Sequence, residues 1–155
     1  MIHRRTFLYG SVALLTTPLA AEAQQASKVP RVGILTPQSS SDPQVQRAFD
    51  VFRQALRELG YVEGQSVALE YRWAEGKSER LPELATELVR SKVDVIVATG
   101  GVLSGQAAQR ATKTIPIIVS GAPDPVAAGL VTSLARPGAN ITGLAQVSDQ
   151  LVGKE

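Results

Sequence analysis

Cysteine is absent from this 155-residue chain, and histidine occurs once, at His3. Without cysteine there is no disulfide, no thiolate ligand for a metal and no cysteine nucleophile. Because His3 lies in a segment that the sequence predicts to be removed, the remaining chain has no imidazole to act as a general base or a metal ligand. These absences argue against an enzyme, and we expect neither a metal site nor a cofactor.

The chain also lacks a strong excess of either charge, because 16 basic and 14 acidic side chains leave a net charge of +2. It has no stripe of lysine and arginine that could follow a phosphate backbone, so we expect no nucleic-acid partner. Its hydrophobic fraction of 44% and its charged fraction of 19% are ordinary for a globular protein. Length and composition together indicate one domain with a single core.

Residues 1–23 have the organisation of a secretory signal peptide. Arg4 and Arg5 precede a short apolar stretch over 7–19, and small residues favour cleavage between Ala23 and Gln24. The stretch is too short to span a bilayer; a buried N-terminal helix is the alternative. Cleavage leaves residues 24–28 as a polar tether before the folded part of the chain.

The segment over 4–8, RRTFL, also matches the twin-arginine export signal, with the general secretory route as the alternative. No cysteine follows the cleavage position, so a lipid anchor on the new N-terminus is excluded. The expected product is a soluble protein of the periplasm.

Downstream, strand and helix patterns alternate. A strand over 31–36 leads to a helix that Asp42 and Pro43 open and Gly60 closes. Further strands are predicted over 67–73, 93–98, 115–119 and 141–144, with helices beginning near 78 and spanning 107–111 and 126–134.

This alternation predicts an α/β fold, a Rossmann-like parallel five-stranded sheet in the flavodoxin-like order. The strand over 67–73 alternates apolar and polar residues and is therefore placed at an edge. The strands over 93–98 and 115–119 are almost continuously apolar, so we expect both to be covered on both faces.

Three loops follow strands at the carboxyl edge of the predicted sheet, where open α/β sheets bind ligands. They span 36–41, 99–105 and 120–124 and are rich in glycine and hydroxyl side chains. The helix N-termini that follow them suit a carboxylate or a phosphate. The alternative is that glycine and serine are what tight turns between strands and helices require.

Several other residues have a structural interpretation beside a functional one. Asp124 precedes Pro125 and is expected to cap a helix, while Trp73 is expected to be partial core although it could stack on a ligand. The carboxylates of Glu70, Glu75, Glu79 and Glu83 are expected to form a solvated face. The glycine spacing over 100–105 does not fit a dinucleotide site, and neither a Walker A pattern nor a Gly-x-Ser-x-Gly elbow occurs.

Multi-residue motifs from about Val29 to the end of the chain resemble the tryptophan/tyrosine-type substrate-binding proteins of ABC transporters. They are GYVEG at 60–64, EYRWAEG at 70–76, LPELA at 81–85, ATGG at 98–101, DPV at 124–126, GLV at 129–131 and PGANITG at 137–143. The resemblance implies the first of two lobes of the type 1 periplasmic binding-protein kind. Two such lobes close on a small solute, aromatic amino acids being the ligand usually assumed for the family.

The resemblance also implies which residues line one wall of the cleft. They are Thr36, Gln38, Ser39, Thr99, Gly100, Gly101, Ser120, Gly121 and Asp124. The implied partners are a small-molecule solute and an ABC permease in the membrane, and the complete protein is expected to be a monomer.

Members of that family are longer than this chain. We therefore expect residues 29–147 to form the N-terminal lobe and residues 148–155 to begin the crossover to a second lobe. One lobe alone cannot bury most of a ligand's surface. The alternatives are a non-binding gene fragment, a sensor-type ligand lobe, and an enzyme on a flavodoxin-like scaffold.

Overall fold

The structure is a computed structural model, and it describes residues 28–133 and 138–145. The predicted signal peptide, its cleavage position at Ala23 and Gln24, all of the tether except Lys28, and the predicted crossover lie outside the described residues. Among the helices that the structure describes, none has the length and apolar character needed to cross a membrane.

Strands and helices alternate through the described residues. They are β1 (Arg31–Thr36), α1 (Pro43–Glu58), β2 (Ala68–Trp73), a 3-10 turn (Ser78–Arg80) that leads into α2 (Leu81–Arg90), β3 (Val95–Ala98), α3 (Val102–Ala111), β4 (Ile117–Ala122) and β5 (Ile141–Ala145). All neighbouring strands are parallel, in the order β2-β1-β3-β4-β5. The predicted α/β class, the five-stranded parallel sheet and the edge position of β2 are confirmed.

Helix α1 begins and ends where its sequence signals predict. The Asp42 carboxylate accepts hydrogen bonds from the backbone N–H groups of Gln44 and Val45, at 2.8 and 3.4 Å. These bonds satisfy donors that the first turn of a helix cannot use. After the last turn, Gly60 adopts a φ of 87°, a left-handed conformation that glycine takes without steric cost.

Two predicted helices differ from the structure. Helix α3 begins at Val102, five residues before its predicted start at 107, because the turn over 99–101 passes directly into it. The predicted helix over 126–134 is wrong: its described part, 126–133, contains turns and no helix. Gly129 has a φ of 68° there, which is incompatible with a continuing right-handed helix.

The two faces of the sheet are covered unequally. Helices α2 and α3 pack on one face, where Leu88, Ile96 and Ile117 are fully buried. On the other face α1 packs over β1 and β2, with Ile34, Val45 and Phe49 buried.

The prediction that both faces of the strand over 115–119 are covered is wrong. Ile118 on β4 is 37% exposed and Leu144 on β5 is 71% exposed. Among the described elements, α1 is the helix on this face, and it lies at the β1–β2 side of the sheet.

Candidate ligand-binding site

A cavity of about 670 Å³ lies between α1 and the open half of the sheet, and it extends to the loops at the carboxyl edge. Its lining combines two groups of residues. The polar or loop residues are Gln38, Thr99, Gly100, Ser120 and Gly121, and the apolar residues are Ile34, Ala48, Phe49, Phe52, Val97, Ile118 and Leu144.

The three predicted loops lie against one another. Gly100 has a φ of 78°, and a Cβ atom added to it would lie 2.7 Å from the ring of Pro37. The N–H of Gly101 donates to the Ser120 carbonyl at 3.4 Å. Gly121 has a φ of 84°, and a Cβ atom there would lie 3.6 Å from the Gly101 nitrogen. Positions 100 and 121 therefore favour glycine because their backbone is left-handed. At position 100 the absence of a side chain also allows the two loops to approach closely.

Thr99 supplies a polar atom that the fold does not use. Its Oγ1 is buried and has no hydrogen-bond partner among the described residues. Its carbonyl, in contrast, accepts from the buried Ser104 hydroxyl at 2.6 Å, and the same hydroxyl lies 2.9 Å from the Gly101 carbonyl. Buried hydroxyls are normally paired, so Thr99 Oγ1 is a hydrogen-bonding group that the described residues leave unsatisfied, on a residue that lines the cavity.

Thr36 and Gln38 are connected to each other. The fully buried Thr36 donates its hydroxyl to Gln38 Oε1 at 3.1 Å, and the Gln38 N–H lies 3.4 Å from the same hydroxyl oxygen. Thr36 thus orients the side chain of Gln38. Gln38 lines the cavity, whereas Thr36 does not.

Ser39, Gly101 and Asp124 are not part of the lining. The Ser39 hydroxyl donates to the Glu75 carboxylate, and Gly101 is buried. The Asp124 carboxylate accepts from the N–H groups of Val126 and Ala127, at 3.1 and 2.8 Å. It therefore caps a turn, where the sequence predicts the cap of a helix.

The apolar part of the cavity was not predicted as a site. Val97 and Ile118 were expected to be covered core residues, and Ala48, Phe49 and Phe52 belong to the apolar face of α1. Their helical and strand spacing identifies them as inward-facing. Sequence spacing cannot show that a cavity separates the helix from the strands, because that depends on where α1 crosses the sheet.

The cavity is polar at one end and carries no charge in its lining. Trp73 is not in the lining; it stacks on Tyr71 with ring centroids 5.6 Å apart and meets Phe49 edge-on at 5.1 Å. Its interpretation as partial core fits this packing. The described residues contain no group of His, Asp or Glu that could hold a metal ion.

The four carboxylates expected on one solvated face have different surroundings. Glu70 is partly buried and pairs with Arg31 and Arg72. Glu75 is exposed, and hydrogen bonds from Ser39 first, and then from Ser40, lower its pKa. The prediction of a common solvated face is therefore wrong for Glu70.

A second depression, of about 300 Å³, lies at the opposite edge of the sheet between the starts of β4 and β5. It is lined by residues 116–117 and 138–142. Helix N-termini do not face this edge in a parallel α/β sheet, so it lacks the donors that make the carboxyl edge suitable for ligands.

A parallel α/β lobe with an uncharged, partly apolar cavity at the carboxyl edge of its sheet has the architecture of a small-solute-binding lobe. The family model of the ABC transporter substrate binding proteins matches residues 32–153. The chain belongs to this family, whose members are typically extracellular or periplasmic and are binding proteins, not enzymes.

The sequence is 39% identical over 101 residues to a tyrosine-binding protein of Clostridioides difficile (strain R20291). That match covers 65% of this chain and 29% of the relative. The matched segment therefore spans less than a third of that relative's length.

Two solved structures are similar. One is a substrate-binding protein with adhesive properties from Clostridium difficile in its ligand-free, open form (TM-score 0.71, 31% identity, 79% of this chain and 40% of that one). The other is an ABC domain from Streptococcus pneumoniae in complex with L-Trp (TM-score 0.66, 28% identity, 75% of this chain and 38% of that one). The partial coverage of both fits one lobe, as the sequence predicts.

Proposed function

We propose that this chain is the exported solute-binding component of an ABC importer. Its cavity forms one wall of a cleft that a second lobe closes, and the solute is a small organic molecule such as an aromatic amino acid. After removal of residues 1–23, the protein acts in the periplasm as a soluble monomer. It delivers the solute to a permease in the membrane.

The amphipathic cavity is the observation that carries this proposal. The rings of Phe49 and Phe52, with Ile118, offer an apolar surface to a ring or a branched side chain. At the polar end, the unpaired Thr99 hydroxyl offers a hydrogen bond to a carboxylate or an ammonium group. An uncharged lining suits a zwitterion better than an ion of one sign, because no fixed charge selects either.

The relatives support the choice of solute. One of them is a tyrosine-binding protein, and another was solved with L-Trp bound. Both ligands combine an aromatic ring with an amino-acid zwitterion, which is the combination that the cavity suits.

A lobe exchange tests the proposal without requiring one lobe to bind alone. Residues 29–145 of this chain would replace the matching lobe of the Clostridioides difficile tyrosine-binding protein. We expect the chimera to bind L-tyrosine or L-tryptophan saturably in calorimetry. The variant Thr99→Val should weaken that binding about 10-fold, because a ligand group then loses its hydrogen-bond partner.

Thr114→Val is the matched control. Thr114 precedes β4 at the amino edge of the sheet, opposite the cavity loops, so its loss should leave the affinity unchanged. A chimera that folds, as judged by circular dichroism, but binds no amino acid would contradict the proposal and favour a non-binding lobe.

A further inference from the structure

Glu75 makes an unusual set of contacts for an exposed carboxylate. It accepts hydrogen bonds from the Ser39 hydroxyl, from the Ser40 hydroxyl at 2.7 Å, and from the Ser40 N–H at 3.1 and 3.3 Å. All of these donors belong to the loop between β1 and α1, about 35 residues away along the chain. The Glu75 carboxylate thus binds hydrogen-bond donors of the loop over 36–41, which the sequence predicts to contact a ligand.

The backbone around Glu75 is bonded to the same loop. The N–H groups of Ala74, Glu75 and Gly76 donate to the carbonyls of Thr36, Gln38 and Pro37, at 2.9, 3.2 and 2.8 Å respectively. The turn over 74–76 therefore continues the pairing of β1 with β2 beyond the ends of both strands. It fixes the loop from the side opposite the cavity.

Glu75 also has a φ of 55°, a left-handed conformation that a residue with a Cβ atom adopts at a cost of about 1 kcal/mol. Glycine would fit this backbone without that cost. The hydrogen bonds to Ser39 and Ser40 depend on the side chain, so the position combines an unfavourable backbone with contacts that only a carboxylate-like group supplies.

The loop that Glu75 holds forms part of the candidate site. Pro37 lies against Gly100, so close that a Cβ at Gly100 would be 2.7 Å from its ring. Gln38, whose carbonyl receives the Glu75 N–H, lines the cavity next to Thr99. Movement of this loop would therefore displace Gln38 and release the contact that supports Gly100.

We propose that Glu75 is a positioning residue of the ligand site, which fixes the loop over 37–40 so that Gln38 and Gly100 keep their places at the cavity. Ser39 and Ser40 then act through Glu75 and do not contact the solute. This inference rests on the proposed function, because the site that Glu75 positions is the one assigned to the solute.

Three variants of the full 155-residue chain separate this role from a general effect on folding. Glu75→Gly removes the carboxylate but suits the left-handed backbone, so global stability should not fall. Glu75→Gln keeps the shape and one acceptor oxygen and should partly restore the wild-type behaviour. Glu79→Gln removes the same charge from an exposed residue of the neighbouring 3-10 turn and is the control.

Hydrogen exchange without ligand is the first measurement. In Glu75→Gly the backbone amides of Gln38 and Ser40 should exchange about 5-fold faster than in wild type, through local opening of the loop. The melting temperature and the exchange of the amides in α2 should be unchanged. Unchanged exchange at Gln38 and Ser40 would overturn the proposal, whether or not the chain binds a ligand.

Titration with L-tryptophan, followed by backbone amide shifts, is the second measurement, and it uses the lobe-exchange chimera described above with each variant introduced in turn. Glu75→Gly should bind about 3- to 10-fold more weakly than wild type, as expected for the loss of a preorganised contact, and Glu79→Gln should match wild type. Equal affinity of Glu75→Gly and wild type would overturn the positioning role. Absence of L-tryptophan binding by the chimera with the wild-type lobe would count against the proposed function alone, because the exchange measurement still decides on Glu75.

Discussion

The two faces of the sheet are formed by the same strands and are both apolar, but they have different surroundings. Ile117 and Ile118 are adjacent on β4; Ile117 is fully buried under α3 and its neighbours, whereas Ile118 is 37% exposed. Among the described elements, two helices complete a core on the first face, and one helix on the second face leaves a cavity. The comparison shows that the candidate site occupies sheet surface that would otherwise be core.

The position of the cavity on an uncovered part of the sheet explains why its lining is partly apolar. The residues of a parallel strand are apolar on both faces because such sheets are normally covered on both sides. Where cover is missing, the exposed face is a ready-made apolar surface. Here it adjoins polar loops, one of which carries the unpaired Thr99 hydroxyl.

The variant Ile117→Ala should have the largest effect. It removes a fully buried side chain from the closed face, where α3 packs on β4, and the resulting cavity cannot easily collapse. We expect a loss of about 3 kcal/mol in the free energy of unfolding, within the range for such deletions. Urea unfolding followed by circular dichroism measures it, and a loss below about 1 kcal/mol would show that the closed face is not tightly packed.

Phe49→Ala tests the helix that covers the other face. Phe49 is buried, meets Tyr71 and Trp73 edge-on at 5.5 and 5.1 Å, and also lines the cavity. Because part of its ring faces space that is already open, we expect a loss of about 2 kcal/mol, less than for a fully enclosed phenylalanine. The same unfolding measurement applies, and a loss greater than that of Ile117→Ala would reverse the ranking of the two faces.

Ile118→Ala is the direct counterpart of Ile117→Ala. Its side chain is already partly in water, so truncation should change the free energy of unfolding by less than about 1 kcal/mol. A loss as large as that of Ile117→Ala would contradict the difference between the faces.

Sequence reasoning predicted the features that short-range chemistry determines. Asp42 and Gly60 mark the ends of α1 through local capping, and the alternation over 67–73 placed β2 at an edge. The flavodoxin-like order of the strands, with β2 at the edge, was predicted from the alternation of strands and helices. The five cavity residues Gln38, Thr99, Gly100, Ser120 and Gly121 were all among those expected from the loops and from the family resemblance.

Features that depend on distant parts of the chain were missed. Whether Ile118 is covered depends on where α1 lies, and the hydrogen bonds of Glu75 join loops about 35 residues apart. The helix predicted over 126–134 is wrong for a local reason: the apolar spacing suits a helix, but Gly129 adopts a left-handed conformation. The spacing of apolar residues alone does not show whether a glycine within the segment will continue or interrupt the helix.

Acid should lower the stability of the protein through the edge of the sheet and not through either face. This change in stability is the smallest that we expect. The fully buried side chains are apolar or hydroxyl-bearing, whereas Asp94 lies exposed at the amino edge, before β3. Its carboxylate accepts from the Lys28 ammonium and from the Arg31 N–H, each at 2.8 Å. The bond from Lys28, and then that from Arg31, lower the pKa of Asp94.

Because the pKa is lower in the folded than in the unfolded chain, the Asp94 contribution is complete above the ordinary aspartate pKa of about 4 and is lost as the pH falls through the lowered value. Asp94→Asn should therefore be slightly less stable than wild type at pH 7, and the difference should disappear in acid. Urea unfolding of both proteins from pH 7 to 2 measures it. A difference that persists at the acid end would mean that Asp94 supports β1 through packing and not through its charge.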